Sequence, residues 1–265
     1  MIAANPSAFR VIPQMQGQNV YIGGVVNRYI AAKQHHTLCE TLGCVVANIP
    51  GDLPDVVFMA NSGLVLPRLP VKVIVLSKMK HPSRIRETVK IKQLFEEMGF
   101  ITYASLDVFE GQGETNWFLD DTLLLVGYGF RCMAVASLRN LLGRIYKLYG
   151  VVPPRVIGIE LISPYWYHLD MAMTRVNSTT AIVHEAAFAP HTIKRIRKLI
   201  QVAQIRVDDP FCLNCICTTN TLFTHALDPK VHKLMRALTK LDIVEINVSE
   251  FEKAGGSVRC MILDI

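Results

Sequence analysis

Apolar strands that end in small polar or glycine-rich turns recur along this chain, near residues 56–65, 101–111, 123–131, 159–170, 181–187, 213–224 and 258–263, with amphipathic helices between several of them. A chain that keeps returning to the same strand, turn and helix order has few ways to pack, because each unit must bury its apolar face against the next. No proline-rich linker divides the units. The economical expectation is one α/β domain over residues 1–265, built from similar modules.

Several elements carry their own boundary signals. Asn27 caps a predicted helix from Arg28 to Leu42, and Gly43 stops it. HPSRIRETVKIKQLFEEMGF reads as a proline-initiated amphipathic helix ending at Gly99, and further helices are expected over residues 132–148, in APHTIKRIRKLI and in DPKVHKLMRALTKL. Strands are expected in FRVI, VYIGGVV, CVVANI, Val56 to Met59, VKVIVLS, ITYAS, TLLLVG, VIGIELIS, TTAIVH, LDIVEINVSEF and Met261 to Ile265.

Composition narrows the function classes. Hydrophobic residues make up 51% of the 265 and charged residues only 19%, so a large core and a weakly charged surface are expected. The balance of 28 Lys and Arg against 22 Asp and Glu gives +6, which gives little support to nucleic-acid binding. The seven cysteines are an odd number without a secretory signal pattern, and no run of 18 apolar residues occurs. A cytoplasmic protein without disulfides or a membrane span is expected. Cys212, Cys215, Cys217 and His225 lack the second ligand pair of a zinc site, and the GQG and GYG pieces do not complete a phosphate-binding fingerprint.

The chemistry is carried by residues at the ends of different strands. Cys260 follows a Gly-Gly turn at the start of an apolar segment; a lone cysteine there is ordinarily a small buried hydrophobe, so it needs partners to count as a nucleophile. His168 and Asp170 stand two apart and share a face if their segment is extended. Glu110 lies beside Gly111 and Gly113, Arg131 follows GYGF, and Arg84 and Arg86 fall in the first turn of a helix, where basic residues oppose the macrodipole. Asn61 sits in an Asn-Ser-Gly turn, where backbone reasons alone would place it. A thiolate, an imidazole and two carboxylates together suit a guanidinium, which is planar, cationic and rich in donors. Arginines nearby suit the carboxylate of an amino-acid substrate.

The motifs PDVVFMANSGLV, HPSRIRET, FEGQGE, GYGFR, YHLD, FCLN and GGSVRC, in this order and spacing, resemble the guanidino-group-modifying enzymes: arginine deiminases, dimethylarginine dimethylaminohydrolases and arginine dihydrolases. The resemblance covers nearly the whole chain. It implies an amidinotransferase-type fold, a five-bladed α/β propeller (pentein) of strand-strand-helix-strand modules forming one catalytic domain. It also implies Cys260 as nucleophile, His168 as general acid and base, and Glu110 and Asp170 gripping the guanidinium. Arg131 is implied as the substrate-carboxylate arginine, with Arg84 as a second one that Arg86 could replace.

On this reading the partner is a small guanidino substrate, arginine or a methylated arginine, and no metal or organic cofactor is required. Asn61 stands where deiminases and dimethylarginine hydrolases usually have aspartate, and so looks like the dihydrolases. An arginine dihydrolase giving ornithine, carbon dioxide and ammonia is therefore the leading expectation, with a single hydrolysis giving citrulline as the alternative. Glu114 in place of aspartate and Met59 in place of threonine depart from relatives. A non-catalytic RNA- or protein-binding propeller, motivated by the basic stretch Lys194 to Lys198, is the reading from another class. The oligomeric state stays open, a homo-oligomer included.

Overall fold

The computed structural model describes residues 1–12 and 19–265. Its first unit joins β1 (Ile2–Ala4) through helix α1 (Arg28–Leu42) to β2 (Val45–Ala47), which runs parallel to β1. Asn27 Oδ1 accepts from the amides of Tyr29 and Ile30, and Gly43 leaves the helix in the left-handed region at φ 63°, as the boundary residues predict.

The same plan then repeats. β3 (Gly63–Val65) lies antiparallel to β4 (Val73–Leu76), and helix α2 (Ile85–Glu97) leads to β5 (Ile101–Ala104), parallel to β4. β6 (Thr115–Phe118), β7 (Leu123–Tyr128), α3 (Val135–Leu148) and β8 (Arg155–Glu160) follow in the same order and sense. The one-turn helix α4 (Leu169–Ala172) opens the next unit, made of β9 (Met173–Arg175), β10 (Thr180–His184), α5 (Pro190–Ile196) and β11 (Gln201–Ile205). β12 (Ile216–Cys217), β13 (Thr221–Thr224), α6 (Pro229–Thr239) and β14 (Asp242–Glu245) complete the last, and a short helix α7 (Ser249–Glu252) precedes the C-terminal segment.

The first unit lacks only an antiparallel strand, and Leu263 supplies it. Leu263 pairs antiparallel with Ile2 through N–H···O contacts of 2.9 and 3.0 Å. Five blades of one design therefore close a ring, the five-bladed α/β propeller implied by the sequence resemblance. The middle strands β1, β4, β7 and β10 are buried almost throughout, whereas β5 and β14, which follow the helices, show mostly open faces.

Several strand expectations fail for local reasons. Val56 to Met59 is not a strand: Pro54–Val57 and Met59–Asn61 form consecutive 3-10 turns, because Pro54 starts a helical turn and the apolar run is buried on all sides rather than alternately. FRVI and VYIGGVV form no strand; residues 13–18, between them, lie outside the described residues. Met261 to Ile265 contributes the single bridge at Leu263 rather than a continuous strand. The basic stretch Lys194 to Lys198 presents Lys194, Arg195, Arg197 and Lys198 to solvent while Ile193 and Ile196 face the core, an ordinary amphipathic division.

The cysteine-rich stretch is core and hairpin. Cys212 and Cys215 are buried, and His225 pairs instead with Asp209 at 3.1 Å and Glu252 at 2.9 Å. Glu252 also accepts from Ser257 Oγ at 3.0 Å, so this charge pair ties β13 to the turn that delivers Cys260. Burial opposes a charged His225, but the hydrogen bonds its ring donates to both carboxylates prevail and hold its pKa up at about 9. A histidine raised in this way stabilises the fold fully below its ordinary value near 6.5, and that contribution is lost as pH rises through about 9. Urea melts of wild type and His225→Gln should therefore show a stability difference that shrinks between pH 6 and pH 10 by an amount on the order of 1–3 kcal/mol. A difference independent of pH would refute the charged assignment.

Candidate active site

The segment leading into the first strand of each blade delivers a polar group to one end of the ring. Asn61 ends the 3-10 turn before β3, Glu110 opens the turn Gly111–Glu114 before β6, and His168 precedes α4, which carries Asp170 toward β9. Asn214 stands just before β12, and Cys260 precedes the Leu263 bridge. These lead-ins pack on one another, so residues far apart in sequence share one small site. Gly111 makes the approach possible: its φ is +67°, and a Cβ there would come within 2.7 Å of the Gly63 amide nitrogen.

His168 and Asp170 do meet the same site, though not as an extended pair. His168 has extended backbone and Asp170 lies in the helical turn that follows, so a bend rather than a pleat brings them together. His168 Nε2 lies 2.8 Å from Glu110 Oε2. Glu110 also accepts from the amide of Lys80 at 3.0 Å and from Arg131 at 3.2 Å. Burial pushes this carboxyl up, but the His168 hydrogen bond and the charges of Arg131, His168 and Arg84 outweigh it and hold Glu110 well below the usual range. It is a fixed anion.

The Cys260 thiol faces the other carboxylate. Its Sγ is 3.5 Å from Asp170 Oδ2, and Asn214 holds both ends of the residue, donating from Nδ2 to Sγ at 3.0 Å and accepting the Cys260 amide at Oδ1 at 3.1 Å. Asn214 Nδ2 also reaches the carbonyl of Asp170 at 3.3 Å. Asn214 was absent from the sequence-derived site set, although FCLN was among its motifs; asparagine just ahead of a strand carries no chemical signal until its partner is known. Burial pushes the Cys260 thiol well up, and Asp170 pushes it further. Asp170 is itself raised by burial despite the charges of His168 and Arg259. The resting pair is thus a thiol beside a carboxyl that is reluctant to ionise. A cation placed between them would reverse both effects.

A narrow cavity of about 40 Å³ opens onto these groups, lined among others by Asp55, Asn61, Arg84, Arg131, His168 and Cys260. Close packing of these groups needs Gly113, because a Cβ there would lie 2.7 Å from Asn61 Nδ2, 3.6 Å from Asp170 Oδ2 and 3.8 Å from the His168 ring. Arg131 stands at the wall with its guanidinium 4.9 Å from the Tyr167 ring centroid. Burial, and then the charges of Glu110 and Asp170, push the Glu114 carboxyl well above its usual range. Met59 is fully buried and accepts a 3.5 Å contact from Ser62 Oγ at its sulfur.

Arg84 is tied into the protein around it. It reaches the cavity, but Nε and NH2 bond Glu87, NH2 also bonds the Asp55 carbonyl, and NH1 donates to Asn61 Oδ1 at 2.9 Å. These bonds occupy most of the guanidinium within the protein. Arg86, its sequence rival, is exposed and outside the cavity lining. Among the described residues, no group of three or more His, Cys, Asp or Glu side chains is arranged to hold a metal ion, and no helix is long and apolar enough to cross a membrane.

Two outcomes follow from this geometry. Because the thiol is protonated at rest and flanked by an acid, a cationic haloacetamidine should inactivate the protein at least tenfold faster than the neutral haloacetamide at pH 7.5; equal rates would contradict the charge arrangement. Asn214→Ala removes the donor to Sγ and should lower the alkylation rate by the amidine roughly tenfold, the order expected for one charge-assisted hydrogen bond of about 1.5–3 kcal/mol. Circular dichroism would verify that the variant is folded.

The relatives of this chain share its architecture. It is 28% identical over 256 residues to an uncharacterised protein, ZK1307.1, of Caenorhabditis elegans, with 92% of this chain and 87% of that protein aligned. It is 28% identical to the bifunctional arginine dihydrolase/ornithine cyclodeaminase ArgZ of Synechocystis, aligning 88% of this chain but spanning only 32% of that longer protein. The crystal structure of the N-terminal domain of ArgZ bound to substrate, a cyanobacterial arginine dihydrolase, superposes with a TM-score of 0.84 at 24% identity, covering 99% of this chain and 96% of that one. Residues 27–265 match the family profile described as N,N dimethylarginine dimethylhydrolase, eukaryotic. With the five-bladed ring and that match together, the chain belongs to the dimethylarginine dimethylhydrolase family of guanidino-group-modifying enzymes.

Proposed function

We propose that this protein hydrolyses the guanidinium carbon of free arginine through a covalent Cys260 intermediate, and that it carries the reaction through to ornithine. The observation that carries this reading is the cavity lined by both Cys260 and His168, behind which the Cys260 sulfur lies 3.5 Å from Asp170 and the His168 ring 2.8 Å from Glu110. A guanidinium beside Asp170 gives a donor to Oδ1, which has no hydrogen-bond partner among the described residues, and sets its planar carbon against the sulfur. Arg131 takes the substrate carboxylate from the cavity wall.

The bound cation lets the thiol give up its proton. The thiolate adds to the guanidinium carbon, His168 protonates the departing nitrogen, and ammonia leaves an amidino-thioether. Water, deprotonated by His168, adds to the same carbon and expels the sulfur, giving a ureido group. A second round on that group releases another ammonia and a carbamate, which loses carbon dioxide. Two waters and one arginine thus give ornithine, carbon dioxide and two ammonia molecules. No electron transfer is involved.

Asn61 supports the second round, because an amide can serve a neutral ureido oxygen where a carboxylate cannot. The narrow cavity favours an unmethylated guanidinium, whereas the family match favours a methylated one; a dimethylarginine dimethylaminohydrolase or deiminase giving citrulline is the second reading. Free arginine incubated with wild-type protein should yield ornithine without accumulated citrulline. Cys260→Ser should lose at least 10³-fold in turnover, as expected on removal of a nucleophile, and Asn61→Asp should stop at citrulline. Turnover of dimethylarginine in preference to arginine would overturn the proposal in favour of the second reading, and turnover of neither by protein with intact thiols would refute the enzymatic reading.

A further inference from the structure

Tyr167 lines the cavity, and the proposed reaction gives it nothing to do. We infer that Tyr167 is a positioning residue: pinned at its hydroxyl, its ring holds the Arg131 guanidinium off Glu110, so that Arg131 meets the substrate carboxylate and the site selects an amino acid over its decarboxylated amine. This rests on the guanidino-substrate reading above and deepens it.

The pin comes first. The Tyr167 hydroxyl donates to the Gly255 carbonyl at 2.7 Å and accepts from Asn19 Nδ2 at 2.8 Å. Gly255 belongs to the turn that delivers Cys260. Asn19 is held in its own right, because Nδ2 also donates to the Ala254 carbonyl at 3.0 Å and Oδ1 accepts from the Tyr21 amide at 3.0 Å. A phenol suits this place, since it donates and accepts through one oxygen. Burial pushes the hydroxyl well above its usual range, so it keeps the proton that it donates. The His168 ring packs on the buried tyrosine with the two centroids 4.8 Å apart and the planes at 61°. Held at its hydroxyl and flanked by an imidazole, the ring has a fixed plane.

That plane then sets the arginine. Arg131 NH1 lies 3.2 and 3.4 Å from the two Glu110 oxygens. These distances exceed the about 2.7–2.9 Å of a close charge-assisted bond. With nothing else beside it the guanidinium would close that gap, because both partners are buried and opposite in charge. The Tyr167 ring, its centroid 4.9 Å away, attracts the cation from another side. A guanidinium shared between a carboxylate and an aromatic face is not spent on the carboxylate alone. It stands in the cavity wall as a binding group for the carboxylate of an incoming amino acid.

Calorimetry on Cys260→Ser protein, comparing arginine with agmatine, tests the inference, because agmatine carries the same guanidino chain without the carboxylate. Tyr167→Leu removes both ring and pin. Tyr167→Phe removes the pin alone and guards against a folding failure of the first variant. We expect arginine affinity to fall about tenfold or more in Tyr167→Leu and by a smaller factor in Tyr167→Phe, while agmatine affinity changes by less than threefold in both. Alkylation of an intact Cys260 by the cationic haloacetamidine, which has no carboxylate to place, should also change by less than threefold. A merely structural role would lower all three together, and that result would overturn the inference. Unchanged arginine affinity in Tyr167→Leu would overturn it too. Equal binding of arginine and agmatine with Tyr167 intact would refute the carboxylate role of Arg131 and this inference with it. Binding of dimethylarginine in place of arginine would refute only the dihydrolase reading, and the same variants, compared with dimethylarginine against the haloacetamidine, would still decide the role of Tyr167.

Discussion

The pairing of Ile2 with Leu263 is the contact on which the rest of this architecture depends. Four blades are made from consecutive chain, but the fifth is made from both termini of the described structure, with Leu263, β1 and β2 in the order that every other blade takes from its own segment. Closure fixes the C-terminal segment, and with it the backbone that carries Cys260. Around this seam the packing is dense and aromatic: Phe9 stacks on Phe251 at 4.6 Å, and Phe58, Leu38 and Ile262 fill the same cluster as Cys260. Each such fully buried side chain contributes about 1.5–3 kcal/mol relative to exposure. The nucleophile is therefore held by a core, not by a loop.

Much of this was legible in the sequence, and the reasons for the failures are physical. Helix boundaries were readable because they are set by nearby atoms: Asn27 caps its own helix, and Gly43 takes the left-handed turn that ends it. The repeat of strand, helix and strand was readable because burial imposes it. Val56 to Met59 misled because a segment enclosed on every side loses the alternation that distinguishes a strand from a turn. His168 and Asp170 were rightly grouped, but the bend that groups them is tertiary. Arg84 was readable as a buried-site cation and not by its partner, since Asn61 lies 23 positions away. Asn214 was overlooked because its partner, Cys260, is 46 positions off.

The site is a product of the ring's symmetry. Each blade has an equivalent lead-in to its innermost strand, and the five supply an amide, a carboxylate, an imidazole with a second carboxylate, another amide and a thiol. As a whole contribution only the amide recurs, as Asn61 and Asn214, and these two face different partners. Rigid strands hold the backbone while the short turns ahead of them set each side chain, which is how a modular fold can hold a single, unsymmetrical constellation to within a few tenths of an ångström.

One feature of that constellation bears on the molecule at rest. Glu110, Glu114 and Asp170 are crowded under the cavity, all buried, and Glu114 keeps both oxygens without a hydrogen-bond partner among the described residues. Burial pushes the Glu114 and Asp170 carboxyl groups above their usual range and so opposes their ionised forms, whereas His168 and Arg131 compensate the Glu110 charge. Glu114 and Asp170 thus make the fold less durable than apolar side chains of similar volume in their places would. Durability and reactivity pull in opposite directions here, so a chain relieved of these acids by selection for robustness would drift toward a sturdier but silent ring.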